Sequence, residues 1–257
     1  MLTWSRSLKL TRYDADVPLK MRGILLLANK YEIKSVCTRI VKHIEADWPK
    51  TLEEWYLQRC EFEKKIHFCD VQEGGWPGEP WEHQFPEPAA AIRIATDCNI
   101  PSILPAAYYR LAISEIERTW GVYEDDQETK QKQLSARWDL LEREDWKRWA
   151  RGKHELFEMH KELEDVCFDQ ADDCEDETEC SETRIALYQA HTQYETATFY
   201  QQPDIIWEIF RYLEKTGSTE FCQMCKRAVK DRLQKFLDAA WKKLPDIFRL
   251  SSVAQSE

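Results

Sequence analysis

Hydrophobic positions along this chain recur at helical spacing almost wherever they recur clearly. The last long segment carries Val229, Leu233, Phe236, Leu237, Ala240, Trp241 and Leu244 at i, i+4, i+7, i+8, i+11, i+12 and i+15, which predicts an amphipathic helix. Pro245 should end it near Leu244, because proline disfavours α geometry in the residue before it and has no backbone donor. Ile206, Phe210 and Leu213, with Trp207 beside them, predict the preceding helix, opened by Pro203 and Asp204 and stopped at Gly217. Thr51 and Glu54 have capping-box spacing, so a helix should run from about Leu52 to Lys64. Residues 127–168 hold Leu134, Trp138, Leu141, Trp146, Trp149, Leu156, Met159 and Leu163, spaced for two helices or one bent near Glu144 and Asp145. No run of β-branched residues with period two lies between turn signals, so no strand is predicted.

Two stretches break the pattern. Between Cys69 and Pro88 the residues Gly74, Gly75, Pro77, Gly78, Pro80 and Pro86 crowd around Trp76, Trp81 and Phe85, which predicts a long loop. Its rings either plug gaps between helices or form a contact surface for a partner, with Trp76, Trp81 and Phe85 as the contacts. Residues 169–182 carry eight carboxylates, Asp169, Asp172, Asp173, Glu175, Asp176, Glu177, Glu179 and Glu182, and no Lys or Arg. Such repulsion predicts a loop or mobile acidic insert, and a second candidate contact surface.

One internal match appears at an offset of 67, where Ala28, Ile33, Ser35 and Val36 align with Ala95, Ile100, Ser102 and Ile103. Each copy reads as helix, tight turn, helix. Small residues at Ala28 and Ala95 would let the helices approach, with Ile33 and Ile100 packing the corners.

The first copy, with Leu25, Leu26, Leu27, Ala28, Lys30, Tyr31, Ile33 and Cys37, resembles the closing helical hairpin of a BTB/POZ domain. Leu10, Tyr13, Asp14, Val17, Pro18 and Leu19 are similar to the segment before that hairpin. Asp47, Trp48, Pro49, Pro88, Ile92, Asn99 to Ala107, Cys222 with Cys225, and Leu244 to Phe248 resemble the C-terminal regions of fungal BTB proteins. The resemblance implies an all-α, irregular helical array of eight to ten helices: a BTB-like hairpin, a second similar hairpin and a C-terminal hairpin. The divisions expected are a partial BTB-like segment over 1–48, a helical region over 49–125 that includes the aromatic loop 69–88, and a charged region over 126–257 that includes the insert 169–182. The sheet and first dimerisation helices of such a domain have no room before Leu10. A truncated form is therefore expected, with the standard dimer interface largely missing and a homodimer left open.

Composition narrows the function. Lys and Arg total 36 against 47 Asp and Glu, a net charge of −11, which argues against a nucleic-acid or membrane-surface binder and for protein partners. No apolar run approaches the ~18 residues of a membrane span, and residues 1–10 lack a signal-peptide core. Nine cysteines without framework spacing suit reducing conditions, pointing to the cytoplasm or nucleus.

Cys222 and Cys225 have the spacing of two adjacent corners of a tetrahedral Zn²⁺ site, and Cys174 and Cys180 in the acidic insert are the nearest further ligands, with Cys167 as a substitute. The basic stretch around Lys226, Arg227, Lys230, Arg232 and Lys235 would draw that insert in. A structural zinc site, packed or inert thiols, and a redox pair all remain open readings. Cys60, His67, Cys69 and His83 form a weaker candidate cluster, and Cys37 and Cys98 read as small core residues. No nucleophile elbow, Walker loop, zincin or dinucleotide motif is present, and Glu142, Glu144 and Asp145 read as a solvated helix face. The expected function is non-enzymatic: a protein–protein interaction adaptor or scaffold. A small cysteine- or metal-dependent enzyme and a non-functional truncated fragment are the alternatives, and the last would expose apolar surface along residues 1–45.

Overall fold

The structure is a computed structural model describing residues 11–71, 83, 85–118, 120–121, 135–168, 171, 173–192, 204–216 and 220–250, with side chains of 66–71, 164–168 and 187–192 left aside. The fold is all-α: nine α-helices and two short 3-10 turns form among the described residues, and no strand does. They are α1 (Val17–Lys30), α2 (Lys34–Ala46), α3 (Leu52–Val71), α4 (Pro88–Asp97), α5 (Leu104–Ala112), α6 (Arg143–Phe168), α7 (Glu177–Thr192), α8 (Ile205–Thr216) and α9 (Gln223–Ile247). None of the described helices is long and apolar enough to cross a membrane.

The array is built around α4 and α5. Ala89, Ala90, Ala91, Ile92, Ile94 and Ala95 are all buried, because small side chains let α1 approach one side of α4 and α5 another. The buried Glu87 carboxylate opens α4 by accepting from the N–H groups of Ala89, Ala90 and, across the fold, Arg137. Helix α5 packs on α6 and α9, and α9 also packs on α3, α6 and α8.

The two matching hairpins close with the same turn. Ile33 N–H donates to Ala28 O and Ile100 N–H to Ala95 O, each at 2.8 Å, while Glu32 and Asn99 take the left-handed conformation between them. This is the six-to-one hydrogen bond of a Schellman ending. The corner residues differ, however: Ile100 is 3 % exposed and Ile33 is 47 % exposed. Ile33 does not pack its corner: among the described helices the main neighbour of the α1–α2 pair is α4, on α1, while α4 and α5 are enclosed by further helices.

Several boundaries fall where local chemistry places them. Thr51 and Glu54 form the capping box reciprocally, Glu54 N–H donating to Thr51 Oγ1 at 3.1 Å and Thr51 N–H to Glu54 Oε2 at 3.2 Å. Asp204 caps α8 by accepting from Trp207 N–H at 3.1 Å. The buried stripe of α9 contains Val229, Leu233, Leu237, Ala240 and Leu244, as its spacing requires.

Other expectations are corrected. Helix α3 runs past Lys64 to Val71, supported by Arg59–Glu63 and Lys65–Glu61 ion pairs one turn apart. Helix α9 continues through Pro245 to Ile247, its tail held by the buried Ile247, Phe248 and Leu250. The 169–182 stretch is not all loop, since α7 begins at Glu177. Glu177 and Glu179 stand in its first turn, where the helix dipole favours negative charge, and Asp176 accepts from Glu179 N–H at 3.0 Å. Glu144 and Asp145 mark the start of α6 rather than a bend.

Candidate metal centre

The C-terminal region brings two cysteine pairs together. Cys222 is the N-cap of α9 with extended backbone, and its Sγ accepts from Cys225 N–H at 3.4 Å. Cys225 lies in the first turn, buried against the body of the fold. Cys174 sits in the turn leading to α7, where its N–H donates to Ala171 O, and Cys180 is buried in the first turn of that helix.

The four Sγ atoms lie within 4.8 Å of one another. Cys225 and Cys174 are 3.4 Å apart, and Cys174 and Cys222 4.0 Å apart. A tetrahedron with Zn–S bonds of about 2.3 Å has S···S edges of about 3.8 Å, so these separations bracket the geometry of a four-thiolate site. All four are free thiols.

The surroundings favour thiolates at one end of the cluster and resist them at the other. Cys222 has its pKa brought down to about 6 by the N–H groups of Cys225 and Glu175 aimed at its sulfur. Burial pushes Cys225 up to about 12 and raises Cys180 as well. Cys222 N–H also donates to Cys180 Sγ at 3.2 Å, a contact that ties the α9 cap to α7. The four residues that spacing singled out therefore lie close together and could bind a metal ion. The side chain of the substitute, Cys167, lies outside the described residues.

The remaining candidates fare differently. Among the described residues no second group of three or more His, Cys or carboxylate ligands converges. His83 stacks on Trp120 with ring centroids 5.4 Å apart, and the side chains of His67 and Cys69 lie outside the described residues. Cys98 is buried, and Cys37 is half-buried with its thiol on Asn29 Oδ1. Trp76 and Trp81 lie outside the described residues, and Phe85 is 3 % exposed and edge-on to Phe62, which also meets Tyr13 edge-on. Phe85 thus fills a gap between helices.

Asp145 corrects the solvated-face reading. Its side chain is 1 % exposed and accepts from Arg93 Nη1 at 2.8 Å and Tyr108 Oη at 2.9 Å. Its neighbours Glu142 and Glu144 stay in solvent. Arg93 also reaches Asp97 and Glu142, so one guanidinium locks α4 to the start of α6.

Two buried ionisable groups, Lys153 and Arg110, and the half-buried Glu208 escaped the sequence reading. Lys153 is wholly buried with its ammonium 5.3 Å from the Trp149 ring, and desolvation brings its pKa to about 8. Its position between Trp149 and Leu156 on one helical stripe was the available signal. Arg110 lies between the Trp55 and Phe62 rings, and burial lowers it to about 9. Glu208 is raised to about 8 by burial first and by Asp204 second.

The surface of the first hairpin carries exposed apolar side chains: Leu26, Leu27, Tyr31 and Ile33 near its tip, and Leu19 further back on α1. Comparison of the chain with protein-family models, with curated proteins and with solved structures yields no match.

Proposed function

We propose that this chain is a non-enzymatic protein–protein interaction module of BTB type, an adaptor or scaffold, whose C-terminal helices are held by one structural Zn²⁺ on Cys174, Cys180, Cys222 and Cys225. The observation that carries the reading is the complete ligand set. Four thiolates fill all four corners of a tetrahedral ion and leave no position for water or substrate, which is the pattern of structural rather than catalytic zinc. Softness adds to this, since an all-sulfur set favours Zn²⁺ over the hard cations Mg²⁺ and Ca²⁺.

The apolar tip of the first hairpin is the contact surface in this reading. Exposed Leu27, Tyr31 and Ile33 form a patch suited to a protein partner, with charged neighbours Lys30, Glu32 and Lys34 to set its orientation. Of the aromatic-loop contacts, Phe85 is buried and so is not part of this surface, while Trp76 and Trp81 lie outside the described residues.

Native mass spectrometry of the full chain, with and without a strong chelator, tests the reading. One zinc ion per chain, removed by chelation and missing from Cys222→Ser, is the supporting result. A chain that takes up no zinc when supplied overturns it. For the contact surface, Leu27→Asp with Ile33→Asp should leave the melting temperature unchanged and abolish capture of a protein that the unaltered chain retains. Equal capture by both contradicts it.

A further inference from the structure

We infer that the metal on the four cysteines decides whether α7 is docked on the rest of the fold, an inference that rests on the zinc reading above. The ligands divide two and two: Cys174 and Cys180 belong to α7 and the turn before it, Cys222 and Cys225 to the start of α9. One ion therefore bridges two separate pieces of chain.

The bridge gains weight because the described part of α7 buries few side chains of its own. Over residues 177–186 the buried side chains are Cys180 and Arg184, while Glu177, Thr178, Glu179, Ser181, Glu182, Ile185 and Ala186 face solvent. One of the contacts of Arg184 is to its own helix, where its Nε donates to Cys180 O at 3.2 Å. Helix α8, shorter than α7, buries Ile205, Ile206, Ile209 and Tyr212, and α9 buries an apolar stripe along its whole length. A helix of 16 residues is marginal in water without tertiary anchoring. Over its described first half, α7 has a cysteine where its neighbours have Ile and Leu. It packs on α6, and the thiol cluster adds a separate link to the start of α9.

Without a metal, four sulfurs this close either carry protons and make weak contacts or carry charge and repel. With it, four metal–sulfur bonds fix both cysteine pairs. Cys174 and Cys222 are half-buried rather than enclosed, so a competing chelator can reach the ion from solvent. Helices α6 and α8 each pack on α9 through apolar faces, contacts that do not depend on the ion.

Hydrogen–deuterium exchange of the full chain, zinc-loaded and chelator-stripped, with zinc content measured on the same samples, tests the inference. The expected result is amide exchange across 177–186 about tenfold faster or more after stripping, with α8 and the 229–247 part of α9 changing by less than about twofold. Cys180→Ser, which keeps the α9 pair, should give the same local pattern in the presence of zinc. Zinc that binds and leaves while 177–186 exchanges unchanged overturns the inference and leaves the zinc reading standing. Loss of protection across the whole array overturns it too, since the ion would then hold the entire fold. A chain that never binds zinc removes the underlying reading itself.

Discussion

Glu32 and Asn99, 67 positions apart, hold backbone φ of 53° and 54°. Each is the left-handed residue between a helix and the corner that follows, and each is spanned by the same 2.8 Å hydrogen bond. A left-handed residue with a Cβ costs about 1–2 kcal/mol, less for asparagine, and glycine relieves that at an entropic cost of about 0.5–1 kcal/mol. Glu32→Gly should therefore stabilise the fold by about 0.5–1 kcal/mol in urea titration, and Asn99→Gly by less. A clear destabilisation by Glu32→Gly contradicts the shared-turn account.

Gly152 lies in α6 directly against the Phe248 ring, and a Cβ built there would overlap that ring. Phe248 is fully buried and stacked on Tyr108 with centroids 5.3 Å apart, so it cannot swing aside. Alanine in a helix is worth up to about 1 kcal/mol over glycine, whereas overpacking costs about 1–3 kcal/mol. Gly152→Ala should lower stability, and Phe248→Leu in the same chain should restore part of the loss. A stabilised Gly152→Ala would show that the two helices are further apart than described.

Asp145 is the buried partner of both Arg93 and Tyr108. Removing one member of a buried ion pair costs about 3–5 kcal/mol, because the other charge is left behind. Asp145→Ala should approach that range, tempered by the contacts of Arg93 to Asp97 and Glu142. Tyr108→Phe should cost about 1 kcal/mol. A double-mutant cycle should then show coupling between the two positions, and strict additivity would mean that the observed contact has no energetic weight.

Capping boxes, helical stripes and C-x2-C spacing were legible in the sequence because each is a relation between residues a few positions apart. Thr51 with Glu54, and Val229 through Leu244, needed nothing from the rest of the chain. Asp145 was misread because its partners, Arg93 and Tyr108, come from helices 52 and 37 positions earlier. Ile33 was misread for the opposite reason: its match to Ile100 is local, but only the second corner is enclosed by other helices. The cysteine pairs were visible separately, and opposite regional charge suggested that they meet. The 174–222 and 174–225 contacts span 48 and 51 positions, a closure set by how α6 and α9 pack.

Glu208 carries a pH dependence of known sign. Burial and nearby Asp204 raise its folded pKa to about 8, from an ordinary value of 4.5. Between those values the folded state holds a proton that the unfolded chain releases, so this group's contribution falls as pH rises from about 4.5 to about 8. Glu208→Gln should flatten that slope and stabilise the chain at pH above 8 relative to the unaltered protein. Identical slopes in the two chains would place Glu208 in solvent.

The central claim is that four cysteines from two distant stretches make a single tetrahedral metal site, and cobalt(II) substitution tests it most directly. A tetrahedral four-thiolate cobalt centre absorbs strongly in its ligand-field bands and shows sulfur-to-metal charge transfer, whereas a site with water ligands absorbs weakly. Titration of the reduced chain should give the intense spectrum saturating at one cobalt per chain. Each of Cys174→Ser, Cys180→Ser, Cys222→Ser and Cys225→Ser should weaken it, and zinc should displace the ion. A weak spectrum, or an intense one that survives in all four variants, would contradict the account.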